Sequence, residues 1–337
     1  MIEVTIVGAP GYAGSELVRL LSSHPNVAIK HVTSQKFQGE RLGRISPWLA
    51  TDLVLEEFTP DLKSDLFFLC QQCGFASEVV PELSKKSRII DLSADFRLTD
   101  QQTFESTYNV PFAGGKLDNP AVYGLPEVCC RDAIRKAQVI ANPGCYPTAS
   151  LLGLVPLLRA GLVSGSPVID AKSGASGAGR SRHETHFLMS ELSGNFHGYA
   201  MTDHRHKPEI EQIAGIGVRF TPHLLPIARG LEASIYVELT EQLSSDQLNK
   251  IFQDFYQNEP FVRCQAWPPS VKQVVGSNRC DLFGSAEPSR DDRPPFAVIS
   301  TVIDNLIKGS SGQAIQNMNM MFGFPETTGL PMNGIWP

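Results

Sequence analysis

The chain has 337 residues, 42% of them hydrophobic and 19% charged, and its formal net charge at pH 7 is −6. This length predicts about two domains, and the composition is that of a well-buried globular protein. Nucleic acid or an anionic membrane would require a basic surface, so we expect neither as a partner and predict small-molecule ligands. Seven scattered cysteines, no apolar stretch of the roughly 20 residues that cross a bilayer and no charged leader predict a cytoplasmic protein.

A strand, turn, helix and strand open the chain. We predict strands at 2–7 and 27–32, with a helix at 15–22 that has its apolar residues on one face. The turn at 8–14 has the spacing Gly-x-x-Gly-x-x-Gly, in which glycines let main-chain N–H groups approach a pyrophosphate at a helix N-terminus. A plain tight turn is the alternative. The predicted nucleotide contacts are Gly8, Pro10, Gly11, Tyr12, Ala13 and Gly14.

The end of the second strand indicates which dinucleotide binds. A site that prefers NAD usually has an acidic residue there, which binds the ribose 2′-hydroxyl. This chain has Ser34 and Lys36 instead, with Arg41 a little later. Because a hydroxyl and cations suit a 2′-phosphate, we predict NADP(H) rather than NAD(H) as the cofactor, with Ser34 and Lys36 among its contacts.

Strands and helices continue to alternate up to about residue 160. We predict strands at 66–70, 88–93 and 138–141 and a helix at 75–86. This alternation favours a parallel, doubly wound, Rossmann-like α/β domain.

Longer β segments dominate the rest of the chain. They are predicted at 167–171, 219–221, 233–239 and 297–303, with a helix at 245–256. Such segregation favours an α+β domain with a mostly antiparallel or mixed sheet. We therefore predict an NADP-binding domain at 1–146 and 309–337, to which a last helical stretch at 309–321 returns, and a second, α+β domain at 147–308.

Cys145 is the candidate nucleophile. It lies between the strand at 138–141 and a helix predicted at 147–159, where the unpaired N–H groups of the first helical turn favour thiolate over thiol. A half-buried turn cysteine is the alternative, and the nucleotide-binding unit upstream favours the nucleophile. Cys70 and Cys73 have the spacing of a redox or zinc pair, but without a matching second pair we interpret them as a strand end and its loop and expect no metal site.

Two histidines precede a helix that Pro208 could start. His204 and His206 are suited to move protons near neutral pH, and with Arg205 and Lys207 they form a cationic cluster suited to an anionic substrate. A metal-binding pair is the weaker alternative. The glycine-rich segment 172–179 follows a strand and is interpreted as a loop whose N–H groups contact the cofactor or a phosphate, with a flexible linker as the alternative.

Over essentially its whole length, the chain closely resembles the N-acetyl-γ-glutamyl-phosphate reductases, a family of arginine biosynthesis related to the aspartate-semialdehyde dehydrogenases. The resemblance rests on residues 8–14, 91–97, 123–127, 142–148, 173–179, 204–209, 222–224, 229–230 and 304–309. The chain departs from the family at 70–74, where Pro-His more often precedes the glycine.

The resemblance implies an NADPH-dependent reduction of an acyl phosphate, with release of inorganic phosphate, through a thioester on Cys145. It implies that His206, with His204 as competitor, supplies the proton. It also implies that the domain at 147–308 is the catalytic and dimerisation domain, in a homodimer or homotetramer. The implied substrate contacts are Arg97, Arg205 and Arg229, with Glu209 as an orienting residue, and the further cofactor contacts are Ser176, Gly177 and Asn305.

Three other possibilities compete with this one. An aspartate-semialdehyde dehydrogenase would use the same chemistry on a shorter substrate without the acetyl group. A non-catalytic NADP-binding sensor would keep the nucleotide fold, but would not need Cys145 beside histidines and cations. Thiol chemistry at Cys70 and Cys73 would make activity depend on a disulfide.

Overall fold

A computed structural model of the chain describes residues 1–180, 184–287 and 293–336. These residues form two units, and helices and strands are numbered in chain order. The first unit comprises Met1–Gly144, Gly179–Ser181 and Ser310–Leu330, and the second comprises Cys145–Ala178, Arg182–Gly309 and Pro331–Pro337. The tail after Leu330, which we predicted in the first domain, packs in the second unit because the Asn278 N–H donates to the Pro331 carbonyl at 2.8 Å.

The first unit contains a seven-stranded sheet in which every neighbouring pair is parallel. Its strands are β1 (Ile2–Val7), β2 (Val27–Thr33), β3 (Leu55–Glu56), β4 (Leu66–Leu69), β5 (Arg88–Asp91), β6 (Val122–Tyr123) and β7 (Val139–Ala141). Their order is β3-β2-β1-β4-β5-β7-β6, which reverses direction between β1 and β4. Ligands of open parallel sheets bind beyond the carboxyl ends of the strands at such a reversal.

Six α-helices belong to the first unit among its described residues. They are α1 (Tyr12–Leu21), α2 (Leu42–Ile45), α3 (Phe75–Leu83), α4 (Gln101–Tyr108), α5 (Arg131–Lys136) and α10 (Gly312–Met321). Helix α10 is buried throughout although it is rich in amides, because those amides have buried partners. The Asn317 amide, for example, donates to the Gly124 carbonyl at 2.9 Å and to the Asn142 side chain at 3.1 Å.

The second unit contains a seven-stranded mixed sheet in the order β12-β13-β14-β11-β8-β10-β9. Its strands are β8 (Val163–Gly174), β9 (His197–Gly198), β10 (Arg219–Leu225), β11 (Leu231–Leu239), β12 (Val262–Cys264), β13 (Cys280–Glu287) and β14 (Phe296–Ile303). Its α-helices are α6 (Cys145–Arg159), α7 (Met189–Leu192), α8 (Lys207–Ala214) and α9 (Ser245–Phe255). Strands β8 and β10 are parallel, as are β12 and β13, and the other pairs are antiparallel.

Burial alternates along the central strands of this mixed sheet. In β11, for example, Ala233, Ile235 and Val237 are buried and face α6, while Ser234 and Tyr236 on the other side are only half-buried. Among the described residues, one face of this sheet therefore packs against α6, and the other, which we call the open face, is more exposed.

The fold class predicted from the sequence is confirmed: a doubly wound, Rossmann-like sheet is combined with an α+β unit. Several boundaries differ. Helix α6 begins at Cys145 rather than at 147, and the stretch predicted as one helix at 309–321 is a π-helical turn, Ile307–Ser311, followed by α10. No helix of the described residues is long and apolar enough to span a membrane.

Candidate active site

The glycine-rich turn between β1 and α1 is held against the neighbouring strands. Gly8 has a φ of +86°, and a Cβ there would lie 2.9 Å from the Cys70 carbonyl oxygen. The N–H groups of Gly8 and Ala9 donate to the Thr33 carbonyl at 3.1 and 3.2 Å, so they already have partners. The donors that this turn can offer to an anion are therefore those of the first turn of α1, which begins at Tyr12.

Close approach also explains Gly14. A Cβ there would lie 2.5 Å from the Gly8 carbonyl oxygen and 2.7 Å from Ala9 Cα. The turn and the helix can meet only because residue 14 has no side chain. Pro10, Gly11 and Ala13 complete the turn and the start of the helix.

The residues after β2 lie where the sequence predicted the cofactor's ribose contacts. Ser34 is buried, and its Oγ accepts the Phe37 N–H at 3.2 Å. Lys36 is exposed, and its Nζ lies 5.3 Å from the centre of the Phe37 ring. Arg41 pairs with Asp52 at 2.8 Å on the surface. Lys36 is closer in sequence to Ser34 than Arg41 is.

Arg180 contacts the glycine-rich turn and was missed by the sequence analysis. Its guanidinium donates to the Pro10 carbonyl at 2.9 Å and to the Ile45 carbonyl at 3.1 Å. It also lies 5.2 Å from the centre of the Trp48 ring. An arginine after a run of small residues gives no signal of these long-range contacts.

Cys145 lies in a cavity of about 210 Å³ in the second unit. The cavity is lined by Cys145, Tyr146, Ser173, Gly177, Ala178, Phe187, Tyr199, Ala200, Asp203, His204, Arg205, His206 and Leu224. Cys145 is half-buried and is the first residue of α6. Gly309 packs against it, because a Cβ on Gly309 would lie 2.7 Å from Cys145 Cβ.

Both histidines line this cavity and are almost completely buried, with 9% of His204 and 8% of His206 exposed. Their ring centres are 4.9 Å apart, and His204 Nδ1 accepts the main-chain N–H of His206 at 3.1 Å. Burial first, and the Arg205 charge second, lower the pKa of His204 to about 3. His204 therefore stays neutral at physiological pH.

Two tyrosines in the cavity were not predicted. The Tyr146 and Tyr199 hydroxyls are 3.2 Å apart, and Tyr146 also donates to the His223 carbonyl at 3.2 Å. Burial raises the pKa of Tyr199 to about 12 and that of Tyr146 well above its usual value. Tyr146 could have been predicted, because it directly follows the candidate nucleophile Cys145. Tyr199 lies in a short loop, where no neighbouring motif indicates a function.

Of the predicted substrate contacts, Arg205 lines the cavity and is exposed. Glu209 is fully buried in the first turn of α8. Arg229 pairs with the buried Asp304 at 3.3 Å. Arg97 lies in the first unit, where its Nε donates to the Asn142 carbonyl at 2.8 Å, three residues before Cys145 in the chain.

The segment predicted as a glycine-rich loop is mostly ordered backbone. Its first residues belong to β8, and Ala175–Ala178 forms a 3-10 helix. The N–H groups of Ala175 and Ser176 donate to main-chain carbonyls at 2.9 and 3.1 Å, so the expected row of accessible donors is not present here. Asn305 Nδ2 donates to Ser176 Oγ at 3.0 Å, and a Cβ on Gly177 would lie 3.8 Å from the same nitrogen.

Neither Cys70 nor Cys73 forms a disulfide. Burial, with the Asp91 charge as a second cause, raises the pKa of Cys70, which makes it a poor nucleophile. Among the described residues, no group of three or more His, Cys, Asp or Glu side chains has the geometry to hold a metal ion.

Comparison with known proteins defines the class. The model of the family "Semialdehyde dehydrogenase, NAD binding domain" matches residues 3–137, and that of "Semialdehyde dehydrogenase, dimerisation domain" matches residues 145–305. The solved aspartate semialdehyde dehydrogenase II complexed with ASA from Vibrio cholerae has a TM-score of 0.71 at 17% identity, covering 96% of this chain and 98% of that one. Aspartate semialdehyde dehydrogenase with NADP from Candida albicans has a TM-score of 0.67 at 13% identity, covering 96% and 98%. At these identities the likeness shows the fold alone, which is that of the semialdehyde dehydrogenases.

Full-length relatives narrow the class. N-acetyl-gamma-glutamyl-phosphate reductases from Desulforudis audaxviator and Desulforamulus reducens are 46% and 45% identical to this chain, and the one from Staphylococcus saprophyticus is 41% identical, each over 100% of both chains. The chain belongs to the N-acetyl-γ-glutamyl-phosphate reductase family, which confirms the resemblance carried by its motifs.

Proposed function

We propose that the protein catalyses the reversible, NADPH-dependent reductive dephosphorylation of N-acetyl-γ-glutamyl phosphate to N-acetyl-L-glutamate 5-semialdehyde, a step of arginine biosynthesis. One observation carries the proposal: Cys145 begins α6 and lines the same cavity as His206, in a chain of this family. A thiol and an imidazole in one cavity are the groups that acyl transfer through a thioester requires.

The first unit fits NADP(H). The glycines at positions 8 and 14 leave room that side chains would fill, and the first turn of α1 offers N–H donors to a pyrophosphate. Ser34 and Lys36 would hold the 2′-phosphate. When bound, NADPH supplies the hydride that reduces the thioester. The further proposed contacts are Ser176, Gly177 and Asn305.

The chain's own groups carry the remaining steps. The Cys145 thiolate attacks the acyl carbon, the bond from that carbon to the phosphate oxygen breaks, and inorganic phosphate leaves with the electron pair. On reduction the thioester carbonyl becomes a thiohemiacetal, whose oxygen takes a proton from His206. The same proton returns to His206 as the carbon–sulfur bond breaks, which releases the aldehyde and restores the thiolate. His206 is the better acid–base group because His204 has a pKa of about 3, far from the neutral range in which proton transfer is efficient.

Cations near the nucleophile account for the anionic substrate. Arg205 lines the cavity and is the proposed partner of the phosphate or carboxylate, since guanidinium groups bind such groups through two parallel hydrogen bonds. We assign Arg229 to the same task, with Glu209 orienting the start of α8. Arg97 would act from the first unit by holding the Asn142 carbonyl, and through it the segment that leads to Cys145.

The second unit, which matches a dimerisation domain, is the proposed site of self-association. Its open face presents half-buried side chains in a row, and Val168 on this face is 39% exposed. We propose a homodimer through this face, with a homotetramer as the alternative. Val168→Lys should raise the dissociation constant at least about tenfold, measured by sedimentation. Val54→Lys, at an exposed valine of the first unit, should leave it unchanged. We place the protein in the cytoplasm, where its seven cysteines, none of which is in a disulfide, stay reduced.

The test is phosphate-dependent NADP⁺ reduction with N-acetyl-glutamate semialdehyde. We expect turnover by the wild type, and none above background by Cys145→Ser. Turnover of aspartate semialdehyde alone would replace the proposal with the related dehydrogenase. NADP binding without turnover of either aldehyde, and with Cys145 inert to iodoacetamide, would favour a sensor.

A further inference from the structure

A hydrogen bond fixes which nitrogen of His204 carries the ring proton. His204 Nδ1 accepts the main-chain N–H of His206 at 3.1 Å. In a neutral imidazole one nitrogen accepts and the other donates, so the proton lies on Nε2. That nitrogen is 3.5 Å from the Tyr199 hydroxyl, which therefore accepts from it.

The next two bonds have only one consistent direction. Tyr146 has a single hydroxyl proton, which it donates to the His223 carbonyl at 3.2 Å. The proton between Tyr146 and Tyr199, whose oxygens are 3.2 Å apart, must then come from Tyr199. The four bonds run in one direction from the His206 main chain, through His204 and Tyr199, to Tyr146 and the His223 carbonyl.

Packing holds these rings in place. His204 lies edge-on to Tyr146 and to Tyr199, with ring centres 5.4 and 5.5 Å apart, and a third ring, Phe220, lies 5.4 Å from it. Edge-to-face contacts of this kind favour one relative orientation. The charged and titratable groups that share the cavity are Cys145, Asp203, Arg205 and His206.

The protonation of the hydrogen-bonded rings does not change around neutrality. The pKa of His204 is about 3 and that of Tyr199 about 12, while burial keeps that of Tyr146 well above its usual value. The hydrogen bonds therefore keep the same directions throughout the range in which an enzyme works, and they transfer no proton themselves.

We propose that Tyr199 and His204 are positioning residues, whose hydrogen bonds fix the start of α8, and with it His206, relative to Tyr146 and the adjoining Cys145. This inference rests on the proposed function. It gives the His204-Arg205-His206 motif a division of roles in which the first histidine orients the second.

A spectroscopic test does not depend on activity. In ¹⁵N-histidine-labelled protein, with His204 assigned by its absence from His204→Asn, we expect the Nε2–H tautomer for His204 at every pH from 5 to 8. The Nδ1–H tautomer, or titration of His204 within that range, would overturn the inference.

Kinetics supply the second test. Tyr199→Phe should lower kcat about tenfold, the effect expected for one lost hydrogen bond, without moving the pH–rate profile or the KM for NADP⁺. His204→Asn keeps an acceptor for the His206 N–H and should retain more activity than His204→Ala. In His206→Asn, by contrast, the basic limb of the profile should disappear. Loss of that limb in His204→Asn instead, or full activity of Tyr199→Phe, would refute the positioning role.

A matched control is Tyr256→Phe. The Tyr256 hydroxyl is also buried and donates to a carbonyl of α6, that of Leu152 at 2.6 Å, but Tyr256 does not line the cavity. This variant should lose stability and keep kcat. An equal loss of kcat in Tyr256→Phe would show that any buried hydroxyl has this effect and would overturn the inference. An inactive wild type would count against the proposed function, and the tautomer would still test the hydrogen bonds.

Discussion

The two units differ in how their functional residues are spaced along the chain. In the first, one turn of seven consecutive residues supplies main-chain N–H groups and needs glycine where side chains would collide. In the second, the cavity collects side chains from α6, β8, the segment before α8 and β10. Main-chain recognition is thus local in sequence, whereas the reactive groups are brought together only by folding.

The largest effect should come from the second unit. Cys145→Ser replaces the thiolate by a hydroxyl that is hardly ionised at neutral pH, so we expect kcat to fall at least about a thousandfold. Binding of NADP⁺, measured by fluorescence titration, should be unchanged. Weakened binding in this variant would mean that the Cys145 side chain helps to hold the cofactor.

Each unit has a buried titratable group whose shifted pKa makes stability depend on pH, and the two dependences have opposite signs. Burial first, and the Asp95 charge second, raise the pKa of Asp91 from 3.8 to about 7. Because the folded pKa lies above the unfolded one, stability is full below about pH 4 and is lost as pH rises through 7. The loss by pH 8 should be at most roughly 4 kcal/mol.

Urea denaturation of Asp91→Asn at several pH values tests this pH dependence of stability. The variant should match the wild type near pH 4 and exceed it at pH 8. Asp100→Asn is the control, because Asp100 is an exposed cap of α4 whose hydrogen bonds with Thr103 lower its pKa, so its contribution is already complete above pH 5. If wild type and Asp91→Asn have parallel pH profiles, Asp91 is not a neutral buried acid. For His204, whose pKa is lowered, stability is instead lost as pH falls below 6.5.

Gly309→Ala should disturb the second unit alone. The added Cβ would lie 2.7 Å from Cys145 Cβ, so the thiol must shift, and a displacement of this kind lowers kcat about a hundredfold. The KM for NADP⁺ should stay constant in steady-state assays. An unchanged kcat would mean that Cys145 adjusts without penalty.

Gly14→Ala should have the complementary effect in the first unit. Its Cβ would meet the Gly8 carbonyl at 2.5 Å and push the turn away from α1, so we expect the KM for NADP⁺ to rise about tenfold. Gly115→Ala is the matched control, since a Cβ there has no neighbour within 4 Å. A loss of kcat at saturating cofactor, with the KM for NADP⁺ unchanged, would contradict a role of the glycine-rich turn in cofactor binding.

The sequence predicted more of the first unit than of the second, for a physical reason. Local periodicity and spacing indicate the strands and the glycine turn. Helix α1 differs from its prediction in starting at Tyr12 and ending at Leu21. In the second unit, Cys145 and His206 were found because their immediate neighbours carry chemistry. Tyr199 was missed because its partners are fixed by tertiary packing, and the helix start at Cys145 was hidden because Pro147 favoured a later start.

The most direct measurement is the mass of the Cys145 peptide after reaction with N-acetyl-γ-glutamyl phosphate in the absence of NADPH, quenched in acid and digested. We expect one N-acetylglutamyl group on Cys145, and we expect it to disappear when NADPH is added before the quench. An unmodified Cys145 peptide, in enzyme that still forms the aldehyde once NADPH is supplied, would contradict it.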